Sequence, residues 1–216
     1  MSRRFVDRED AGRALAADLA DVDGANAIVL GLPRGGVPVA AVVAEVLGAP
    51  LDVVVVRKIG VPGQPEVAMG ALASIAGSVM TVRNESVLSA VGSDAQRRFD
   101  EIAARERVEL ERRQELYRAG LPPLEVQGKD VVLVDDGIAT GATMRAAVMA
   151  LAASGPASVI VAVPVGPADG LGELGELVDR VVCVSAPEPF WAVGQAYVDF
   201  TQTTDDEVRR LLGVGG

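Results

Sequence analysis

One stretch constrains the fold of this chain more than any other: Val131-Val132-Leu133-Val134-Asp135-Asp136-Gly137-Ile138-Ala139-Thr140-Gly141-Ala142-Thr143-Met144. A run of branched apolar residues suits a strand buried on both faces of a parallel sheet. Two adjacent aspartates stand where that strand should stop. A loop of small residues, Ala139 to Thr143, then leads into an alanine-rich helix from about Met144. A loop at a helix start offers backbone N–H groups and the positive end of the helix dipole to an anion. Thr140 and Thr143 add hydroxyls there. Carboxylates beside a phosphate cradle repel the ligand unless they face hydroxyls or a metal ion. A sugar phosphate meets both requirements, as does a Mg²⁺-bound phosphate ester.

An earlier stretch has the same grammar. Ala27 to Leu32 reads as a short apolar strand and runs into Pro33-Arg34-Gly35-Gly36-Val37-Pro38. An apolar helix to about Leu47 and a strand from Leu51 to Val56 follow. Such a strand–helix–strand unit forms a right-handed parallel crossover. Its glycine loop lies at the carboxyl end of a strand, where open α/β sheets bind ligands. The two glycines let the backbone approach an oxyanion, and the planar fork of Arg34 can grip two oxygens.

Further strands are expected at Ser158 to Val163 and Arg180 to Val184, with helices at Asp7 to Ala20, Met144 to Ser154 and Leu171 to Leu177. The alternation predicts a doubly wound α/β fold: a mainly parallel sheet of about five strands with flanking helices. Ala71 to Val82 suits a hairpin around Ala76-Gly77-Ser78. Ser93 to Tyr117 is a charged helix with a thin apolar stripe (Phe99, Ile102, Ala103, Leu110, Tyr117), supported by Glu101–Arg105 and Glu109–Arg113 pairs. That stripe packs on the core or on a second subunit, so a homodimer is open.

Half of the 216 residues are hydrophobic and only 3% aromatic, which fits one α/β domain with small helix–sheet contacts. The net charge of −10 argues against a nucleic-acid surface. No histidine is present, which removes Ser-His-Asp, Cys-His and histidine-ligated metal chemistry. The single cysteine, Cys183, lies in an apolar run and reads as a structural thiol. Neither a signal peptide nor a membrane-length apolar stretch is evident, so a cytoplasmic protein with no membrane partner is expected.

The 131–144 stretch resembles the phosphoribosyl-pyrophosphate (PRPP) signature of type I phosphoribosyltransferases: apolar strand, two acids, then Thr-Gly-x-Thr. The resemblance implies that Asp135 and Asp136 hold the ribose and that Ala139, Thr140, Gly141, Ala142 and Thr143 hold the 5′-phosphate. Arg34-Gly35-Gly36 is similar to the family's pyrophosphate loop. Arg57 to Glu66, rich in glycine and proline, reads as a loop; the family has a mobile cover at this point, and Lys58 is its candidate catalytic cation. The resemblance divides the chain into one phosphoribosyltransferase-like domain over 1–216, with 60–125 as lid and helical insert and 186–205 as part of a small hood.

The tail from Pro187 to Phe200 gathers scarce aromatics, including the only tryptophan. It resembles the purine-enzyme segment in which an aromatic stacks on the base and a later acid helps hold Mg²⁺. Trp191 takes the stacking place by position; packing as core is the alternative. Asp199 is offset by about one residue from the metal-binding place. The sequence also departs from the 6-oxopurine enzymes, which carry an acid where Ala139 stands. Lys58, Glu66 and Asp199 remain as groups able to move a proton. The implied activity is transfer of the phosphoribosyl group of PRPP to a small nitrogen acceptor with release of pyrophosphate. A non-catalytic PRPP-binding regulatory module is the other reading, and a sugar-phosphate hydrolase lacks an evident base.

Overall fold

The structure is a computed structural model that describes residues 4–75, 77–92 and 94–214, without the side chains of Pro65 and Glu66. Four parallel pairings build its centre. Strand β1 (Ala27–Gly31) is buried at every position, as a strand covered on both faces must be. It pairs on one side with β2 (Leu51–Val61) and on the other with β5 (Asp130–Val134). Beyond β5 lie β6 (Ser158–Val165) and β7 (Arg180–Ser185), both parallel. These are the five expected strands.

Two more strands join the sheet. β3 (Gln64–Ile75) runs antiparallel to β2, and β4 (Ser78–Arg83) antiparallel to β3, giving the seven-stranded order β4-β3-β2-β1-β5-β6-β7. The hairpin expected over Ala71–Val82 is thus present, although Ala76 lies outside the described residues. The loop expected over Arg57–Glu66 is not: β2 continues through Val61, and Pro62-Gly63 makes a two-residue turn into β3. Gly63 has φ +83, so the turn uses the glycine as a left-handed residue. Gly60 sits at the register irregularity, a position where glycine in a strand is tolerated. Pro164 lies inside β6, toward its carboxyl end.

Helices cover both faces. Val29, Val132, Val134, Ile160 and Ala162 meet α1 (Arg8–Ala17) and α2 (Gly36–Leu47). On the opposite face Leu30, Val131, Leu133, Val161 and Val163 meet α5 (Ala142–Ala152), and α6 (Ala168–Gly175) adjoins β7. Between β4 and β5 come the short α3 (Glu85–Val91) and the long α4 (Ala95–Arg118). Phe99, Leu110 and Tyr117 of α4 pack with Val53, Val55, Ile59 and Leu72, so the stripe is spent on this chain's own core and lends no support to a subunit contact. Each such buried side chain contributes on the order of 2 kcal/mol. The Glu109–Arg113 pair forms at 2.8 Å, but Glu101 pairs with Arg97 at 3.0 Å instead of with Arg105.

Near the end of α4 a buried ion pair ties helix to sheet. Arg118 holds Asp52 through Nε and Nη2, with Nη2 2.8 Å from Oδ2, and donates to the carbonyl of Pro122. The chain finishes with a 3-10 turn (Val193–Ala196) and α7 (Asp205–Leu211). Cys183 is half-buried, and burial pushes its thiol up, in keeping with a structural role.

Candidate functional site

β1 and β5 are neighbours, yet the chain leaves them in opposite directions, β1 toward β2 and β5 toward β6. That is a topological switch point, and the loops beyond the carboxyl ends of the two strands diverge to leave a crevice. Leu32-Pro33-Arg34-Gly35 leaves β1, and Asp135-Asp136-Gly137 leaves β5. The N–H of Leu32 donates to the carbonyl of Val134 at 2.9 Å, which zips the two exits together.

Only glycines allow the next residues to stay this close. A Cβ on Gly35 would overlap the carboxylate of Asp136. One on Gly36 would come within 2.7 Å of the Val134 carbonyl and 2.8 Å of Asp135 Cα. The glycines read from sequence as oxyanion-binding residues are therefore also what lets the Arg34 loop lie against the acid pair.

The two helix starts offer donors in different ways. In the first loop Gly36 and Val37 donate to Leu32 and Arg34 at 3.0 and 3.2 Å, and Pro38 has no N–H. The N–H groups of Arg34 and Gly35 have no such partner among the described residues, nor do those of Thr143 and Met144 at the start of α5. Gly141 precedes that helix at φ +69 and no side chain caps it. Ala142 N–H reaches Thr140 Oγ1 only at 3.5 Å. Arg145 donates to the Thr140 carbonyl at 2.8 Å and pairs with Glu173, which braces the loop from outside. Ala139, Thr140 and Thr143 are exposed. Two loops that carry N–H groups without protein partners among the described residues thus flank two carboxylates.

Those carboxylates differ. Asp135 Oδ1 accepts the N–H of Asp136 at 2.9 Å, and no cation pairs with Asp135 among the described residues. Burial, then the charge of Asp136, pushes the Asp135 carboxyl well above the ordinary range. Asp136 is raised by burial as well, but Arg8 opposes the shift. Nε and Nη2 of Arg8 lie 2.9 and 2.8 Å from Asp136 Oδ2. Arg8 also donates to the Thr201 carbonyl at 2.7 Å and lies 4.2 Å over the Phe200 ring. Tyr197 stacks on Phe200 and donates its hydroxyl to the Asp136 carbonyl at 2.6 Å. Burial raises the Tyr197 hydroxyl strongly, so it stays a donor.

The motif reading of the sequence passes over Arg8, Tyr197 and Asp205. Arg8 does carry a signal. It is the first residue of α1, where the positive helix end disfavours a cation. An arginine placed there implies an acid from elsewhere in the fold.

Arg34 is half-exposed, with Nη1 3.9 Å from Asp205, whose Oδ1 also accepts the Tyr117 hydroxyl at 2.5 Å. Burial and that bond push the Tyr117 hydroxyl up to about 12. Lys58 is half-buried on β2, where strand alternation puts it with Val54 and Val56 on the face that carries α5. The Glu66 side chain lies outside the described residues.

The tail approaches the crevice at Gly137, where a Cβ would come within 2.5 Å of Val193. Trp191, two residues earlier, is 80% exposed, so it is not a core plug. Asp199 is not brought to the acid pair. Its carboxylate accepts the N–H and hydroxyl of Thr201 at 2.9 and 2.6 Å, and these bonds lower its pKa. It lines an outer groove of about 900 Å³ between α1, α2 and α7.

Among the described residues no three acids, cysteines or histidines converge on a point that could hold a metal. A Mg²⁺ cage made of protein alone is therefore absent from that set. One or two carboxylates with substrate phosphates suffice for this ion, and Asp135, with no cationic partner, fits that use. No helix among the described residues is long and apolar enough to cross a membrane.

Residues 5–201 match the model of the phosphoribosyl transferase domain. A Mycobacterium tuberculosis protein, provisionally named a phosphoribosyl transferase, is 49% identical over 208 residues. The match takes in 96% of this chain but 46% of that protein, so the chain spans about half the length of this curated relative. The crystal structure of TT1426 from Thermus thermophilus is 45% identical and superposes with a TM-score of 0.88, covering 97% of each chain. AQ2163 from Aquifex aeolicus, at 12% identity and a TM-score of 0.50 with 97% of this chain and 85% of that chain covered, shares the fold alone.

Proposed function

Because the chain belongs to the phosphoribosyl transferase domain family, we propose that it transfers the phosphoribosyl group of PRPP to a small nitrogen acceptor and releases pyrophosphate. The observation that carries this reading is the close fit of the Arg34-Gly35-Gly36 loop against Asp135 and Asp136, with the uncapped start of α5 beside them. A ligand with a phosphate at one end, ribose hydroxyls in the middle and a diphosphate at the other matches that order of groups.

In this proposal the α5 loop takes the 5′-phosphate on the N–H groups of Thr143 and Met144 and the hydroxyls of Thr140 and Thr143. Asp135 and Asp136 accept the ribose hydroxyls. The N–H groups of Arg34 and Gly35 and the Arg34 guanidinium receive the pyrophosphate. Mg²⁺ bound with PRPP would neutralise charge on the diphosphate, and Asp135 would be the protein group that helps hold it. Asp199, engaged with Thr201, is the weaker assignment. The acceptor nitrogen forms a bond to ribose C1 as the C1–oxygen bond to pyrophosphate breaks, with the electron pair leaving on the pyrophosphate. Positioning and charge stabilisation supply the acceleration. Lys58, on the sheet extension that takes the place of the expected loop, is the candidate catalytic cation. Ala139 provides no acid partner for a base nitrogen, so any proton the acceptor loses on bonding to C1 goes to the departing pyrophosphate or to water. Residues 60–125 as lid and insert, 186–205 as hood, and a cytoplasmic location belong to the same proposal.

Calorimetric titration with PRPP and Mg²⁺, followed by a nucleobase screen for pyrophosphate release, tests this reading. PRPP binding without turnover for any base would favour the regulatory module, and absence of PRPP binding would remove both. Arg34→Ala should lower the rate of pyrophosphate release by about a hundredfold, the scale of one lost donor to developing charge. PRPP affinity should fall less, because the contact strengthens as charge grows on the leaving group. Folding should be unaffected, since a half-exposed pair at 3.9 Å contributes under about 1 kcal/mol. Equal losses in rate and affinity would relocate the leaving-group site.

Trp191→Ala should cost about 1–3 kcal/mol of acceptor affinity, by analogy with base stacking on aromatics. PRPP affinity should survive, and the exposed ring leaves melting unchanged. Base binding that is insensitive to the substitution would end the stacking role.

A further inference from the structure

Asp136 is held by two segments far from the 131–144 stretch in sequence. Its carboxylate takes the Arg8 fork from α1, and its carbonyl takes the Tyr197 hydroxyl from the tail. The same segments hold each other. Phe5 N–H donates to the Ala196 carbonyl at 2.7 Å, and Val198 and Asp199 donate to the carbonyls of Phe5 and Val6 at 2.8 and 2.9 Å. Arg8 closes the ring by bonding the Thr201 carbonyl and covering Phe200. Both partners of the pair are nearly withdrawn from solvent, with side chains 12% and 13% exposed. Two N–H groups on Oδ2 leave Oδ1 of Asp136 without a side-chain partner among the described residues. The fork therefore fixes the rotation of the carboxylate and commits one oxygen, while the other remains for a ligand.

We propose that Arg8 is a positioning residue of the phosphoribosyl site, fixing the Asp136 carboxylate for a ribose hydroxyl and tying it to the 196–201 tail. The inference rests on the reading of Asp135 and Asp136 as the ribose clamp. A hydrogen bond weakens steeply when its acceptor is turned away, so a carboxylate held in one rotation is the better partner for a ribose hydroxyl. The groups facing Asp136 are Asp135 on its own loop, Arg8 from α1, Tyr197 from the tail and the Arg34-Gly35 loop from β1. Of the charged side chains, Arg8 is the cation in contact with it.

The test compares wild type with Arg8→Met, which keeps an apolar stem over Phe200, and Arg8→Lys, which keeps the charge without the fork. PRPP affinity with Mg²⁺ is measured by calorimetry in each protein and again with the same changes made in an Asp136→Asn background, beside thermal melts. The expected result is an affinity about tenfold lower in Arg8→Met, the loss that one charge-assisted hydrogen bond carries. Arg8→Lys should restore part of that loss, and in the Asp136→Asn background Arg8→Met should cost little further affinity, because the carboxylate it positions is gone. An equal loss in the Asp136→Asn background, or no rescue by lysine at unchanged melting temperature, would mark Arg8 as merely structural and overturn the inference. Were wild type to bind no PRPP, the clamp reading would fall and the ribose role of Arg8 with it.

Discussion

Gly35→Ala should weaken PRPP binding about a hundredfold while leaving a folded protein. The added methyl would overlap the Asp136 carboxylate, so either the Arg34 loop or the acid must move. Moving the acid breaks the Arg8 fork; moving the loop parts Leu32 from Val134. Overpacking of this kind costs about 1–3 kcal/mol of stability. The functional loss should be larger, because a displacement of about 1 Å at a positioned site costs on the order of a hundredfold. Gly172→Ala is the control. It lies within α6 with nothing within 4 Å of its added carbon, so it should be neutral or stabilise by up to about 1 kcal/mol. Calorimetry beside a thermal melt reads both quantities. Near-normal PRPP affinity in Gly35→Ala would mean that the two loops do not act as one site.

The parts of this site legible in the sequence are those written locally. Val131 to Val134 had to be a strand covered on both faces, and the acids and small residues after it had to mark its end and the next helix. Long-range partners carry no such mark. Arg8 is 128 positions from Asp136, and only its awkward place at the positive end of α1 hints at a distant acid. The β2–β3 turn was obscured by its own residues. Gly60, Pro62 and Gly63 read as a loop, whereas the backbone uses Gly63 for a tight hairpin turn and lets Gly60 sit at the ladder's irregularity. α7 carries a local mark that the sequence reading passed over: Thr204 accepts the Glu207 N–H at 3.1 Å, and Thr204-Asp205-Asp206-Glu207 has capping-box spacing before an apolar pair. Tertiary context also decided Trp191, whose aromatic neighbours divide. Tyr197 and Phe5 are buried, while the tryptophan stays outside.

Asp135→Asn and Asp136→Asn should part company on stability although both weaken PRPP binding. Each removes a carboxylate acceptor for a ribose hydroxyl, a loss of about 1.5–3 kcal/mol or roughly ten- to a hundredfold in affinity. Asp135 has no cationic partner and its carboxyl is raised on folding. A carboxyl raised in the folded state binds more protons there than in the unfolded chain, whose value is about 3.9. Its ionised form therefore opposes folding at neutral pH, and the penalty fades as pH falls through the folded pKa. Asp135→Asn removes that penalty and should melt at or above the wild-type temperature at pH 7, with the advantage shrinking in acid. Asp136→Asn also removes a raised acid, but it strands the Arg8 guanidinium, whose side chain is 12% exposed. An uncompensated charge in such a place costs on the order of 3 kcal/mol, which outweighs the relief. Its melting temperature should fall, and Arg8→Met in the same chain should recover part of the loss. Opposite signs for the two single variants would mark Asp135 as an acid retained for binding at the expense of stability, and Asp136 as one held in place by the fold around it. Equal melting temperatures would refute that division of labour.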